Sequence, residues 1–257
     1  SDSRKVEPGF LFAVFVGTSC KSHSYLLEAI KNGAAVILLD KNDCDNITNL
    51  NVPILTVANP RSTYARIASR FYQPHPNTIA AITGTNGKTS TVNFLQQIWS
   101  KLGIGVSSIG TLGAKLSDGK EEVFELVNDD IRLTTPDSAD LHRLLQQFAK
   151  QDIQHVAIEA SSHGLDQRRL DSVPIAAAAF TNLTRDHLDY HGTMKKYASA
   201  KKRLFEDLLS DDGLAILNAD DQFSEELVKS SRDRGHEILT YGLLGKDAKI
   251  ISLNPSK

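Results

Sequence analysis

A glycine-rich turn between an apolar run and an amphipathic run constrains the fold more than any other feature of this chain. The run Thr78-Ile79-Ala80-Ala81-Ile82 leads into Thr83-Gly84-Thr85-Asn86-Gly87-Lys88-Thr89, and a helix-like run follows from Ser90 to Leu102. This order predicts a strand, a tight turn and a helix, an arrangement whose backbone N–H groups bind anions. Ile82 stands where the common phosphate-binding loop has glycine, so the turn is a shortened variant. The alternative is an ordinary strand-to-helix turn.

The two residues that end the turn favour a phosphate ligand. Lys88 supplies a point charge for the outer phosphates, and the Thr89 hydroxyl can hold Mg²⁺. A magnesium-nucleotide site needs a second acid at the end of a neighbouring strand. Glu159 fits that place, because it follows the apolar run Gln154-His155-Val156-Ala157-Ile158. The alternative for Glu159 is a surface carboxylate after a strand.

Composition excludes several other classes of protein. A chain of 257 residues forms one large or two ordinary domains, and 40% apolar with 23% charged residues is typical of globular proteins. The net charge of −2 argues against a general nucleic-acid or membrane-surface binder. No apolar run approaches the roughly 18 residues of a membrane span. Cys20 and Cys44 form no metal or redox motif, which fits a reducing, cytoplasmic location.

Short apolar runs alternate with amphipathic runs, which predicts α/β architecture with a largely parallel sheet. The run Gln73-Pro74-His75-Pro76-Asn77 interrupts this pattern, because two prolines cannot continue a helix. We therefore expect a small N-terminal α/β domain over residues 1–76. A P-loop ATPase domain, with a mostly parallel sheet flanked by helices, is expected over residues 77–257. The lack of a starting Met and of a closing element after Leu253 predicts truncation at both ends.

The individual elements follow from the apolar periodicity. Besides the strand before the turn, the predicted strands are Phe10–Val16, Ala34–Leu39, Pro53–Val57, Val106–Ile109, Val156–Ile158, Ile175–Phe180, Leu214–Leu217, Ile238–Tyr241 and Lys249–Leu253. Besides the helix after the turn, the predicted helices lie near Tyr25–Asn32, Arg61–Tyr72, Asp137–Lys150, Met194–Leu209 and Gln222–Arg234. The polar stretch from Lys115 to Ile131 is given no element.

Three further clusters carry side chains suited to chemistry. Glu159-Ala160-Ser161-Ser162-His163-Gly164-Leu165 is followed by Gln167-Arg168-Arg169 at a strand's carboxyl end, where open α/β sheets bind ligands; a solvated loop is the alternative. His187, in the polar run Thr181–Gly192 after the next strand, is a candidate metal ligand, although Mg²⁺ prefers oxygen; a hydrogen-bonded polar histidine is its alternative. Tyr197–Phe205, which contains Lys201, reads by itself as an amphipathic helix with a basic face.

Together these motifs resemble the Mur ligase family, which joins amino acids to the peptide of cell-wall precursors. The order G-T-N-G-K-T, L-T-T-P, E-A-S-S-H-G-L, D-H-L-D-Y-H-G and Y-x-x-A-K is most similar to the UDP-N-acetylmuramoyl-tripeptide synthetase branch, which adds the third residue. The shortened turn alone would also admit other Mur ligases, folylpolyglutamate synthetase or a poly-amino-acid ligase such as cyanophycin synthetase. A non-catalytic nucleotide- or UDP-sugar-binding module is the alternative from another class.

The resemblance implies an ATP-dependent ligase that uses Mg²⁺ and an acyl phosphate to join a diamino acid to UDP-N-acetylmuramoyl-dipeptide. We expect a cytoplasmic monomer that neither binds nucleic acid nor enters a membrane. The implied catalytic residues are Lys88, His187 and Lys201, and the implied metal ligands are Thr89, Glu159, His187 and Lys201, with Lys201 carbamylated. The implied nucleotide contacts are Gly84, Thr85, Asn86, Gly87, Lys88, Thr89, Ser90 and, near the base, Asn218. The implied substrate contacts are Thr134, Thr135, Ser161, Gln167 and Arg169.

The chain departs from the family pattern in two places. Lys21-Ser22 stands where the family has Asp-Gly before the histidine that is His23 here, in a domain that resembles the family's uridine-nucleotide-binding domain. No counterpart of the third domain, which selects the incoming amino acid, follows Ile251. The sequence therefore does not specify meso-diaminopimelate or L-lysine. Residues 1–257 alone are expected to bind Mg²⁺-ATP without forming the amide.

Overall fold

The computed structural model describes residues 2–15, 22–42, 50–118, 123–126, 133–243 and 250–251. Contacts divide the chain into two compact units, Ser1–Ile67 and Ala68–Lys257. This division falls inside the helix Pro60–Phe71, whereas the sequence analysis puts a domain boundary after Pro76, and the domain limits stay a prediction. Several residues discussed above lie outside the described residues: Cys20, Lys21, Cys44 and the segment after Ile251.

The first unit is built on a three-stranded parallel sheet of order β1-β2-β3. Its elements are β1 (Leu11–Ala13), α1 (Ser22–Lys31), β2 (Val36–Asp40), β3 (Ile54–Val57) and the start of α2 (Pro60–Phe71). Phe12 and Ile37 are register partners across β1 and β2, and both are buried with Leu26 of α1. The predicted alternation of strand and helix is confirmed here, with a shorter first strand.

The second unit carries, among its described residues, a nine-stranded sheet of order β12-β11-β10-β9-β4-β8-β5-β6-β7. Its strands are β4 (Thr78–Thr83), β5 (Val106–Gly110), β6 (Gly113–Ser117), β7 (Val123–Leu126), β8 (His155–Glu159), β9 (Ile175–Phe180), β10 (Leu209–Asn218), β11 (Glu237–Gly242) and β12 (Ile250–Ile251). Its helices are α3 (Lys88–Lys101), α4 (Ser138–Lys150), α5 (Ser162–Asp166), α6 (Leu188–His191), α7 (Met194–Arg203) and α8 (Ser224–Asp233).

The central strands form because every residue between their ends is apolar. Ile79, Ala81, Val156 and Ile158 are fully buried, as expected for parallel strands that helices cover on both faces. The main core lies against α4, whose apolar face includes the buried Phe148. The expected α/β class with a mostly parallel sheet is confirmed.

The strand register brings three loops to one edge of the sheet. β4 lies between β8 and β9; Ile82 pairs with Glu159 and Thr83 pairs with Phe180. The carboxyl ends of the three strands are therefore level, and the residues that follow them converge where parallel sheets bind ligands.

The structure corrects the prediction at two places. The polar stretch that begins at Lys115 contains an antiparallel edge hairpin, β6 and β7, in which Lys115 pairs with Glu125. Only Ala114 and Leu116 of β6 carry apolar side chains, so the alternation in this edge strand is too weak to predict it. The helix predicted to end at Leu209 instead ends at Arg203, and a wider helical turn, Leu204–Leu208, leads directly into β10.

Candidate functional site

The turn after β4 has the geometry of a phosphate cradle. Gly84 and Gly87 have φ angles of 147° and 84°, a region that favours glycine. Gly87 precedes α3 without a side-chain cap, so the first N–H groups of a fourteen-residue helix can serve an anion. The Lys88 Nζ donates to the carbonyls of Gly84 and Thr85 at 2.9 and 2.8 Å. Burial lowers the pKa of Lys88, and the Glu159 and Asp186 carboxylates oppose that shift.

A buried carboxylate stands beside this turn. Glu159, at the end of β8, is 1% exposed. It accepts hydrogen bonds from the Thr89 hydroxyl at 2.9 Å and from the Thr111 backbone N–H at 2.9 Å. Gly110 makes room for it, because a Cβ on Gly110 would lie 2.2 Å from the Glu159 Oε1. Glu159 thus lies beside Thr89, and its role as a metal ligand stays a prediction.

Lys201 reaches the same turn from α7. Its Nζ donates to the Gly84 carbonyl at 2.6 Å and lies 4.5 Å from the centre of the Tyr197 ring. The Tyr197 hydroxyl in turn lies 3.1 Å from the Thr85 hydroxyl. Lys201 is 1% exposed. Burial, and then the neighbouring Lys88 charge, lower the pKa of Lys201 to about 7.

His187 immediately precedes α6 and has a left-handed backbone conformation, with a φ of 49°. Its ring contacts that of His163, with centroids 4.9 Å apart, and its Nε2 lies 3.5 Å from the Asp186 carboxylate. Burial, and then the nearby His187, lower the pKa of His163. The residues Tyr190 and Tyr197 complete an aromatic cluster around these two histidines.

The expected substrate residues have different environments. Thr135 is fully buried, donates to the Glu159 carbonyl at 2.7 Å and accepts from the Ser161 N–H at 3.0 Å, so it braces the loop. The Arg169 guanidinium donates to the Thr135 carbonyl at 2.7 Å and to the Gln167 side-chain oxygen at 2.6 Å. The Gln167 amide in turn donates to the Tyr190 hydroxyl at 3.1 Å.

A cavity of about 290 Å³ joins most of these side chains. Its lining comprises eight residues proposed from the sequence together with four others: Lys88, Thr89, Thr134, Glu159, Ser161, Arg169, His187 and Lys201, and then Thr111, Leu133, Ser162 and His163. The other residues proposed from the sequence lie outside that lining: Gly84, Thr85, Asn86, Gly87, Ser90, Thr135, Gln167 and Asn218. The sequence analysis missed Thr111, which positions Glu159, because a single threonine after a strand carries no signal of its own.

Asn218, at the end of β10, has both ends of its amide engaged within the protein. Its Nδ2 donates to the Thr181 carbonyl at 2.7 Å, and its Oδ1 accepts from the Asp220 N–H at 3.0 Å. The predicted contact of Asn218 with a nucleotide base stays a prediction.

The oxygen donors fit a magnesium ion. In the part of the chain that the structure describes, no group of three or more His, Cys, Asp and Glu side chains could hold a metal. Mg²⁺ does not need such a cage, because it binds through one or two protein oxygens plus water and substrate phosphates. The Thr89 hydroxyl and the Glu159 carboxylate, 2.9 Å apart beside the turn, provide that pair.

A phosphate cradle at the carboxyl edge of a parallel sheet, with a carboxylate on the adjoining strand, defines a P-loop α/β protein of the nucleotide-binding class. Residues 82–256 match the family model described as Mur ligase middle domain. The chain belongs to the Mur ligase family.

Curated relatives and a solved structure agree with this membership. The chain is 44% identical over 246 residues to the UDP-N-acetylmuramoyl-L-alanyl-D-glutamate–2,6-diaminopimelate ligase of Brucella melitensis, covering 95% of this chain and 48% of the relative. It is 42% identical to the ligase of the same name from Rhizobium meliloti, again over 95% and 48%. A solved structure of a ligase with that name superposes with a TM-score of 0.80 at 32% identity, over 96% of this chain and 48% of the other. The chain thus spans about half the length of the relatives it matches.

Among the described residues, none of the helices combines the length and the apolar character that crossing a bilayer requires.

Proposed function

We propose that this chain binds Mg²⁺-ATP at the carboxyl ends of β4 and β8, with the γ-phosphate beside Lys88. The observation that carries the proposal is the pairing of the Gly84–Thr89 turn with the buried Glu159 carboxylate. That pairing puts anion-binding N–H groups next to oxygen donors for a hard cation. Thr89 and Glu159 would hold Mg²⁺, which offsets phosphate charge when bound.

We further propose that the protein is an ATP-dependent ligase that adds the third amino acid to UDP-N-acetylmuramoyl-L-alanyl-D-glutamate in peptidoglycan precursor synthesis. The printed names of its relatives support this substrate, and they favour 2,6-diaminopimelate as the amino acid. A carboxylate oxygen of the dipeptide would attack the γ-phosphorus, and the bond to ADP would break. The amine nitrogen of the incoming amino acid would then attack the acyl carbon, with release of phosphate and a proton.

The chain's own side chains suit these steps through position and charge. Lys88 would stabilise negative charge on the transferred phosphoryl group. Thr134, Ser161 and Arg169, all in the cavity lining, would bind the anionic UDP-dipeptide, since Arg suits carboxylate and diphosphate oxygens. Thr135 and Gln167 would position that set, given their hydrogen bonds to Ser161 and Arg169.

We also propose that Lys201 is carbamylated in the active protein and that, with His187, it faces a second Mg²⁺. Two cationic side chains share the Gly84 carbonyl, and the lowered pKa of Lys201 keeps a share of its amine neutral near pH 7. The neutral nitrogen would attack CO₂, form a C–N bond and release a proton. The resulting anion would attract the metal that an ammonium group repels.

Calorimetric titration of ATP and ADP, each with Mg²⁺, into Lys88→Ala tests the nucleotide proposal. We expect the variant to lose at least about tenfold more affinity for ATP than for ADP, because only ATP carries the γ-phosphate; about 1.4 kcal/mol corresponds to tenfold. Lys101→Ala, at the exposed end of the same helix, is the matched control and should bind both nucleotides normally. Equal losses would contradict the role of Lys88, and absence of ATP binding by the unmodified chain would contradict the proposal.

A second measurement separates the ligase proposal from a folate-directed ligase. UDP-N-acetylmuramoyl-dipeptide should stimulate ADP release, and folate should not. Stimulation by folate alone would contradict the proposed substrate.

A further inference from the structure

Thr181, the residue after β9, supports the phosphate-binding turn from below. Its backbone N–H donates to the Thr83 carbonyl at 3.0 Å, which extends the pairing of β4 with β9 by one residue. Its hydroxyl donates to the Asn86 carbonyl at 2.6 Å, inside the turn. Because the side chain is 9% exposed, water competes little for this bond.

Gly84 packs so closely against the Thr181 side chain that no larger residue fits at position 84. A Cβ on Gly84 would lie 1.8 Å from the Thr181 Oγ1. The first glycine of the turn therefore rests directly on this hydroxyl. The Gly84 carbonyl is the group that both Lys88 and Lys201 bind, so the height of the turn above Thr181 also sets where these two cations lie.

Asn182 accepts hydrogen bonds from two backbone N–H groups of the same turn. The Thr85 N–H donates to the Asn182 carbonyl at 2.8 Å, and the Asn86 N–H donates to the Asn182 side-chain oxygen at 3.0 Å. These two N–H groups are thus committed to the protein. The N–H groups at the start of α3 are left to face a phosphate.

Asn218 fixes Thr181 from the opposite side. β10 pairs with β9, and Leu217 lies opposite Phe180. The next residues along the two chain segments, Asn218 and Thr181, are therefore neighbours. The Asn218 amide donates to the Thr181 carbonyl at 2.7 Å and is itself oriented by the Asp220 N–H. A continuous path of hydrogen bonds therefore runs from Asn218 through Thr181 to Asn86.

We infer that Thr181 and Asn218 are positioning residues for phosphate binding, acting through the turn and not by touching the nucleotide. The inference rests on the proposed binding of ATP at this turn. It predicts that both residues matter for the phosphates and not for adenosine. A base contact by Asn218 instead predicts equal losses of affinity for adenosine, ADP and ATP.

The test compares ATP, ADP and adenosine as competitors of a fluorescent ATP analogue on the 257-residue chain. Thr181→Val removes the hydroxyl at nearly constant volume, and Thr181→Ser keeps it. We expect Thr181→Val to raise the Kd for ATP and ADP about five- to tenfold, in line with one lost hydrogen bond. Adenosine affinity should stay within about twofold of the original, and Thr181→Ser should bind all three ligands normally.

Asn218→Ala should show the same phosphate-limited loss. Because both residues act along one path, the double variant should bind ATP within about twofold of the weaker single variant. Thermal unfolding of every variant shows whether a loss of binding reflects loss of the fold. Thr181→Ser is the control for that case. It keeps the hydroxyl, so we expect it to fold and to bind ATP normally.

Three results would overturn the inference. Equal loss of adenosine and ATP affinity in Asn218→Ala would assign Asn218 to the base. Normal ATP binding by folded Thr181→Val, or weakened binding by Thr181→Ser, would show that the hydroxyl does not set the turn. If the unmodified chain binds no ATP, the proposed function fails and the inference falls with it, whereas intact binding with unaffected variants overturns the inference alone.

Discussion

Replacing Gly110 by alanine should disturb the proposed magnesium site without replacing either of its proposed ligands, Thr89 and Glu159. The new Cβ would lie 2.2 Å from the Glu159 Oε1 and 2.6 Å from its Cγ and Cδ. Relief to an ordinary contact requires the carboxylate to move by more than about 1 Å, since carbon atoms prefer roughly 3.5–4.0 Å. A shift of that size stretches the 2.9 Å hydrogen bonds from Thr89 and Thr111 beyond bonding distance.

Two costs follow from this displacement. Overpacking a buried site destabilises a fold by about 1–3 kcal/mol. Loss of hydrogen bonds to the charged carboxylate, about 1.5–3 kcal/mol each, adds to that cost. Moving Glu159 away from Thr89 should also reduce the Mg²⁺-dependent part of ATP affinity about tenfold or more, because the two oxygen donors would no longer face one cation. Glu159→Gln keeps the packing and should lose that same part with little change in thermal stability.

The assay is ATP titration with and without Mg²⁺, combined with thermal unfolding. Gly105→Ala is the control, because its Cβ would meet the flexible end of Ile153 at 3.1 Å and the Asp152 carbonyl at an ordinary 3.8 Å. The reasoning is wrong if Gly110→Ala is less stable yet keeps the full effect of Mg²⁺ on ATP affinity. It is also wrong if Gly110→Ala changes neither property, since the strand would then yield to the added methyl group.

Three other predictions address separate parts of the molecule. Arg169→Ala should raise the Kd for UDP-N-acetylmuramoyl-dipeptide about ten- to hundredfold by calorimetry and leave ATP binding nearly unchanged; an equal loss of ATP affinity would place Arg169 in the nucleotide site or the fold. In the full-length enzyme, Lys201→Ala should abolish most of the proposed ligase activity, and short carboxylic acids should restore part of it; normal ligation by full-length protein whose mass shows an unmodified Lys201 would contradict the carbamate. Burial, and then His75, lower the pKa of His142 to about 4 from its usual 6.5, so the unfolded chain takes up a proton first as pH falls. The free energy of unfolding should therefore drop by about 3 kcal/mol between these two pH values, and His142→Gln should flatten the curve; parallel curves for the two proteins would refute this.

The sequence predicts the central strands well and the sheet edge poorly, for a physical reason. β4, β8 and β9 are covered on both faces, so their apolar runs are continuous and their type is unambiguous. The hairpin of β6 and β7 lies at the sheet edge, and the five residues of β6 include only two apolar side chains, Ala114 and Leu116. A segment with so few apolar side chains is predicted as a loop, because only its pairing with neighbouring strands identifies it as a strand.

The candidate site divides in the same way. Lys88, Thr89 and Glu159 could be proposed because their chemistry shows in the motif and its distance from a strand end. Thr181 could not, because its role depends on a bond to Asn86, which lies 95 residues away. Contacts between distant segments leave no trace in a single sequence when the residues involved are ordinary threonines and asparagines.

Two lysine side chains lie close together at the turn, and this positive charge favours the binding of anions. Lys88 and Lys201 both donate to the Gly84 carbonyl, at 2.9 and 2.6 Å, although like charges at such separation repel. One carbonyl oxygen does not neutralise two ammonium groups. Burial, and then repulsion from Lys88, therefore lower the pKa of Lys201. Nucleotide phosphates would neutralise Lys88, and the proposed carbamate would change the sign of Lys201. Either change alone removes the repulsion between the two side chains, and because both changes add negative charge, Mg²⁺ would be needed for the two to occur together.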